Sequence, residues 1–186
     1  KFLGKIKWKY SSNDLSIFVD NKNYNTDIYK FNNDYTTNNI SLLKSQLQKS
    51  IRRKLSDLSV NIAYQMINLS FNDFIRRLAI ITLEDVILNQ YYPILIWMMV
   101  AYSTGKWSPN KNDILWLLSY VKYLCNIDFR ENYSKIEFDT PICNFDNHFY
   151  NNLIYSLDLR KAYGGMKGDI KFIAWLIREW IQRFKN

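Results

Sequence analysis

Three of the five glycines fall in one segment, Gly164-Gly165-Met166-Lys167-Gly168-Asp169. A glycine turn beside a lysine, just before a helix, is suited to hold phosphate. Free backbone N–H groups and the positive end of the helix dipole converge there. Gly164, Gly165 and Lys167 are therefore candidate phosphate contacts. The spacing is not that of a P-loop, since G-x-x-x-x-G-K-[ST] is absent and no hydrophobic strand precedes it. Asp169 also sets a carboxylate where an anion would sit. The alternative is a helix C-cap followed by a tight turn into the last helix.

A second group is Arg76-Arg77 followed by Glu84-Asp85. Arg77 and Glu84 are seven residues apart, close to two helical turns, and share a face if one helix carries both. A break at Thr82 would instead let the acids cap a new helix, with the arginines reaching back. Paired carboxylates do acid–base chemistry when a nucleophile or a histidine stands by; neither is near in sequence. Arg77, Glu84 and Asp85 are thus expected to form a structural ion pair or cap. Cys125, Cys143 and His148 exhaust the cysteines and histidines, too few for a disulfide scaffold or an ordinary four-ligand zinc site. Cys125 ends an apolar stretch, as an inert packed thiol does. The expectation is a chain with no catalytic constellation, no metal and no cofactor.

The charges point elsewhere. With 25 Lys+Arg against 17 Asp+Glu, the formal charge is +8, which favours a polyanionic partner. One cluster is Lys44, Lys49, Arg52, Arg53 and Lys54; another is Arg178, Arg183 and Lys185; a third, Lys5, Lys7 and Lys9, alternates with Ile6 and Trp8. Cations interleaved with aromatics suit single-stranded nucleic acid, in which bases stack and phosphates pair with Lys or Arg. Lys9, Lys49, Arg52, Arg53 and Lys54 are the candidate nucleic-acid contacts. A solvated face is the commoner explanation of any one cluster, and it is the three together on a +8 chain that favour nucleic acid. Heavy use of Asn, Lys, Ile and Tyr also fits an A+T-rich genome, which would inflate lysine without selection for binding.

These residues need elements to position them. At 186 residues and 48% apolar, the chain can bury one core. Residues 1–39 differ from the rest: KIKWKY and DLSIFVD alternate with period two around a Ser-Ser-Asn-Asp turn, and an Asn-rich aromatic stretch follows. From Ile40 the period becomes helical. Leu43, Leu47, Ile51 and Leu55 recur every fourth residue. Ser56 or Asp57 is expected to cap the next helix, Ser70 with Asp73 a third, and Thr82 with Asp85 to repeat the capping spacing. Pro93 opens the apolar ILIWMMVAY helix and Gly105 ends it; Ser108-Pro109 opens another; two more run from about His148 to Tyr163 and from Gly168-Asp169 onward. Trp97, Trp116, Trp175 and Trp180 lie in apolar patterns, and Trp8 and Trp107 are expected to be exposed. The fold class expected is mostly α, a single helical-bundle domain of about seven helices over residues 40–186, with a short β-like N-terminal extension over 1–39.

Within that frame, SLLKSQLQKSIR (41–52), Ala63 and FIRRLAIITLEDVIL (74–88) resemble the C-terminal helical part of the MgsA/RarA family, which includes the Werner-helicase-interacting protein. The resemblance rests on Lys49-Ser50-Ile51-Arg52, Arg76-Arg77-Leu78 and Glu84-Asp85-Val86 and covers roughly residues 41–125. The family are AAA+ ATPases related to clamp loaders; no ATPase core is found in this sequence, and the YGGMKGDIKF segment has no counterpart. The resemblance implies a collar-like helical domain that mediates oligomer assembly in replication or repair.

The function expected is a non-catalytic assembly or accessory module of a DNA replication or repair complex, binding protein subunits or itself and touching nucleic acid non-specifically. The alternatives are a sequence-tolerant single-stranded DNA or RNA binder using Trp8, Tyr10 and Trp107, or an appended domain of a larger nucleotide-using enzyme. The opening Lys1 suits a processed product or an excised piece. No leader is visible in KFLGKIKWKY, and the longest apolar run, Tyr91–Tyr102, is well short of the roughly 20 residues a membrane span needs. A soluble intracellular protein with no membrane partner is expected.

Overall fold

The computed structural model describes residues 2–6, 15–18, 36–130 and 145–185. Strands β1 (Phe2–Ile6) and β2 (Leu15–Phe18) pair antiparallel, Ile6 opposite Leu15 and Phe2 opposite Phe18, with an irregularity between Phe2 and Gly4. The second strand falls where alternation places it. The first begins earlier than KIKWKY suggests, and residues 7–14 lie outside the described part. Seven helices follow among the described residues, so the chain is mostly α.

Helix α1 (Ile40–Arg52) starts at Asn39, whose side chain accepts from the Leu42 N–H, and buries Leu43, Leu47, Ser50 and Ile51. This is the four-residue stripe of the sequence, with Leu55 left outside it. Lys54 turns the chain at φ 59°, its N–H donating to the Ile51 carbonyl and that of Leu55 to the Ser50 carbonyl. Helix α2 (Ser56–Leu69) therefore has Leu55 at its cap position and no side-chain cap; Ser56 and Asp57 already belong to its first turn. Helix α3 (Phe71–Asp85) is capped by Ser70, which accepts from the Asp73 N–H at 3.4 Å while its hydroxyl donates to the Asp73 carboxylate. No break occurs at Thr82. Its hydroxyl instead bonds the Leu78 carbonyl at 3.0 Å, the local bond a buried threonine makes inside a helix.

Helix α4 (Tyr92–Ser103) has Pro93 in its first turn and is buried on nearly every side, as an apolar run without a polar face must be. Gly105, at φ +67°, lies just beyond its end. Helix α5 (Lys111–Asn126) starts at Asn110 rather than at Ser108-Pro109, because Asn110 and Asp113 form a reciprocal capping box. Helices α6 (His148–Tyr163) and α7 (Lys167–Lys185) form an antiparallel pair around the glycine turn. Contacts link α1 with α2, α2 with α5, α3 with α4, and α4 with α6, so α4 joins the first five helices to the last two. Their inward faces make one continuous core containing Phe74, Leu78, Leu95, Val121, Leu157 and Ile173. Trp107, expected at the surface, packs instead against Phe71 and Trp97, with ring centroids at 6.2 and 5.7 Å.

Candidate functional site

The basic end of α1 is where most of the candidate contacts converge, and geometry divides them. The Arg52 Nε donates to the Asp85 carboxylate at 2.6 Å. The Lys54 ammonium lies 2.8 Å from the Asp128 carboxylate, and that of Lys44 2.5 Å from the Asp73 carboxylate. Lys49 and Arg53, one turn apart and both exposed, have no carboxylate partner among the described residues. Lys9, with Trp8 and Tyr10, lies outside the described part.

Lys49 and Arg53 stand over an open groove of about 540 Å³ between α1 and α2. Buried Ser50 and Ile62 form its floor, and its walls carry Leu42, Leu55 and Leu58 at 44, 45 and 50% exposure. Three leucines half in water around one concavity form a contiguous apolar surface rather than scattered exposure. Leu42 and Leu58 fall out of phase with the core stripes of their own helices, and that is the signal by which sequence reasoning would have found them.

Behind this groove, on the α3 side of α1, Gln48 is the hub of a polar cluster. Its amide donates to Glu84 at 3.1 Å and to Asp85 at 2.8 Å, and its carbonyl accepts from the Arg77 guanidinium. Arg77 and Asp85 are thus joined through Gln48, while the direct cation partner of Asp85 is Arg52. The Asp85 hydrogen bond raises the Arg52 guanidinium above its ordinary value. Glu84 reaches solvent as a residue, yet desolvation of its carboxyl against packed protein raises its pKa. Asp85 and Asp169 add to that rise, and Arg77 opposes it. Gln48 was not among the candidates, because nothing in one sequence marks a glutamine that bridges two helices.

The electrostatic reach of Asp169 to Glu84 brings the glycine turn to the edge of this cluster. Gly164 and Gly165 adopt φ 90° and 145°, and the buried Arg160 donates from Nη1 to the Gly164 carbonyl at 2.7 Å. Arg76 lies over the Tyr163 ring at 5.5 Å. Lys167 and Gly168 are exposed in the first turn of α7.

Tyr91, Trp116, Tyr120 and Tyr123 border a pocket of about 190 Å³, their rings packed against one another. Cys125 is buried with its thiol 3.4 Å from the Ser59 hydroxyl, and burial raises its pKa, which disfavours the nucleophilic thiolate. Among the described residues no three metal-ligating side chains converge, and no helix is long and apolar enough to cross a membrane. No protein-family model matches this chain, nor does any curated protein or any solved structure.

Proposed function

We propose that this chain is a non-catalytic binding module of a DNA replication or repair assembly, and that it docks a partner protein's helix in the α1–α2 groove. The observation that carries the reading is the groove itself: Leu42, Leu55 and Leu58 half exposed around one concavity, with Lys49 and Arg53 at its rim and without a carboxylate partner among the described residues. Apolar walls with a cationic rim complement an amphipathic helix that carries a leucine stripe flanked by glutamates. The replication or repair setting is supported by the resemblance at Lys49-Ser50-Ile51-Arg52 and Arg76-Arg77-Leu78.

Nucleic acid is the weaker occupant. Arg52, Lys54 and Lys44 are already neutralised by carboxylates, which leaves two cations in the groove. Two phosphate contacts give a salt slope of only about −2, far below that of a protein that binds nucleic acid by charge.

The test uses a fluorescein-labelled 20-residue helical peptide with leucines at i, i+3, i+4 and glutamates beside them. Saturable anisotropy is expected, with amide shifts along 42–62. The Lys49→Glu/Arg53→Glu protein should bind it about tenfold more weakly, as reversal of rim charges opposes an acidic partner. Leu58→Asp should abolish binding without loss of helical circular dichroism. An oligodeoxynucleotide that shifts the same amides while the peptide does not would overturn the reading.

A further inference from the structure

The glycine turn between α6 and α7 is not used by the docking groove, and beside it lies Arg160, a buried cation whose Nε has no hydrogen-bond partner among the described residues. Arg160 is 2% exposed. Its Nη1 donates to the Gly164 carbonyl, its buried Nε has no hydrogen-bond partner, and Nη2 makes no hydrogen bond to a described residue. Among the described residues no carboxylate lies within ion-pair distance of it. A buried guanidinium in that state is costly, and a bound anion would supply the missing charge and hydrogen-bond acceptors. Burial indeed lowers its pKa.

The guanidinium is aimed at the turn. A Cβ placed on Gly165 would stand 3.6 Å from Arg160 Nη2 and 3.7 Å from Nη1. The same point is 3.7 Å from an oxygen of Asp169, so the space in front of the fork opens onto the first turn of α7. That turn presents N–H groups with no partner inside the helix, and the positive end of a 19-residue dipole. Lys167 sits exposed at the helix start and Arg76 is close enough to repel Arg160. Fork, ammonium and free N–H groups together fit a tetrahedral oxyanion better than a planar carboxylate.

We propose that Arg160, Lys167 and the Gly164–Gly168 backbone form a binding site for a phosphoryl group. In the unliganded protein Asp169 faces Arg160 from beyond salt-bridge distance and acts as a weak internal counter-ion, which an incoming phosphate displaces. The site is separate from the α1–α2 groove.

Two substitutions must then act in opposite directions. Asp169→Asn removes the competing negative charge and should tighten pyrophosphate binding about threefold to tenfold. Lys167→Ala and Arg160→Gln should weaken it, Arg160→Gln by tenfold or more through loss of charge-assisted bonds. Arg160→Gln alone carries a risk of misfolding; Asp169→Asn and Lys167→Ala alter partly or fully exposed side chains and keep the test independent of it. Titration of pyrophosphate is followed by the amide shifts of residues 164–170 and by calorimetry. A single-stranded oligodeoxynucleotide forms a second arm. Shifts at the turn with pyrophosphate alone identify a free phosphate or nucleotide as the source; shifts with both identify the nucleic-acid backbone. Lys49→Glu/Arg53→Glu should leave both arms unchanged, so this result stands or falls apart from the docking groove. No saturable shift at 164–170 with either probe, or binding that Asp169→Asn weakens, overturns the proposal.

Discussion

Replacing Arg52 by alanine is expected to destabilise the fold rather than to cost a binding contact. The Asp85 side chain is 5% exposed, whereas that of Arg52 is 52% exposed. Truncating Arg52 therefore strands a buried carboxylate, and only the Gln48 amide at 2.8 Å remains as a partner in a described bond. A lost charge-assisted hydrogen bond costs about 1.5–3 kcal/mol. A fully buried orphan charge costs about 3–5 kcal/mol. Because the Arg52 side of the pair faces water, solvent can follow the truncation, and about 2 kcal/mol is the expected loss. At about 2–4 °C per kcal/mol for a chain of this size, Tm should fall by about 4–8 °C. Asp85→Asn, which keeps the shape and removes the charge, should cost about 1 kcal/mol. The double variant Arg52→Ala/Asp85→Asn should be little worse than Asp85→Asn alone, giving a coupling of about 1–2 kcal/mol. Thermal unfolding of the four proteins by circular dichroism measures this. Additive costs, or an Arg52→Ala protein that melts with the wild type while losing oligonucleotide affinity, would refute the reasoning and return Arg52 to the binding surface.

Further outcomes test the frame around that pair. Ser70→Ala removes the cap of α3 and should lower stability by about 1 kcal/mol, read as denaturant midpoint at constant slope. Leu78→Ala opens a hole in a completely buried site and should cost about 2–5 kcal/mol. Lys54→Gly relieves a left-handed backbone at φ 59° and should raise stability by about 0.5–1 kcal/mol despite the loss of the exposed Asp128 bridge. Glu84 and Asp73 should move stability with pH in opposite senses. The raised pKa of Glu84 means that its ionised form opposes folding above the folded-state pKa, a penalty relieved as pH falls through that value. Glu84→Gln should thus melt slightly higher at neutral pH and converge with wild type in acid. Asp73, held low by the Lys44 hydrogen bond, contributes stability above its unfolded value, and that contribution fades as pH falls through the folded one.

Much of the architecture was legible because it follows from local periodicity. Leu43, Leu47 and Ile51 can only face inward together, and Pro93 and Gly105 bracket a run too apolar for the surface. Boundaries were harder where two signals competed. Thr82 has the spacing of a cap, yet a buried threonine can satisfy its hydroxyl on Leu78, so the helix continues. Asn110 outcompetes Ser108-Pro109 because its side chain and that of Asp113 satisfy each other's backbone. Trp107 sits between polar residues, and its burial comes from Phe71 and Trp97, which lie far away in sequence.

Charge is where sequence reading reaches its limit. Five cations in eleven residues from Lys44 to Lys54 form one cluster on paper. In three dimensions three of them are held by Asp73, Asp85 and Asp128, which stand 29, 33 and 74 residues away. Local charge density therefore overstates the free positive surface, and of these five Lys49 and Arg53 are the two without a carboxylate partner among the described residues. Arg160 shows the converse. It lies outside the basic clusters of the sequence, beside only Asp158 and Lys161, yet burial leaves its Nε without a hydrogen-bond partner. What an anion meets is set by which cations lack a carboxylate, and that is a property of helix packing rather than of composition.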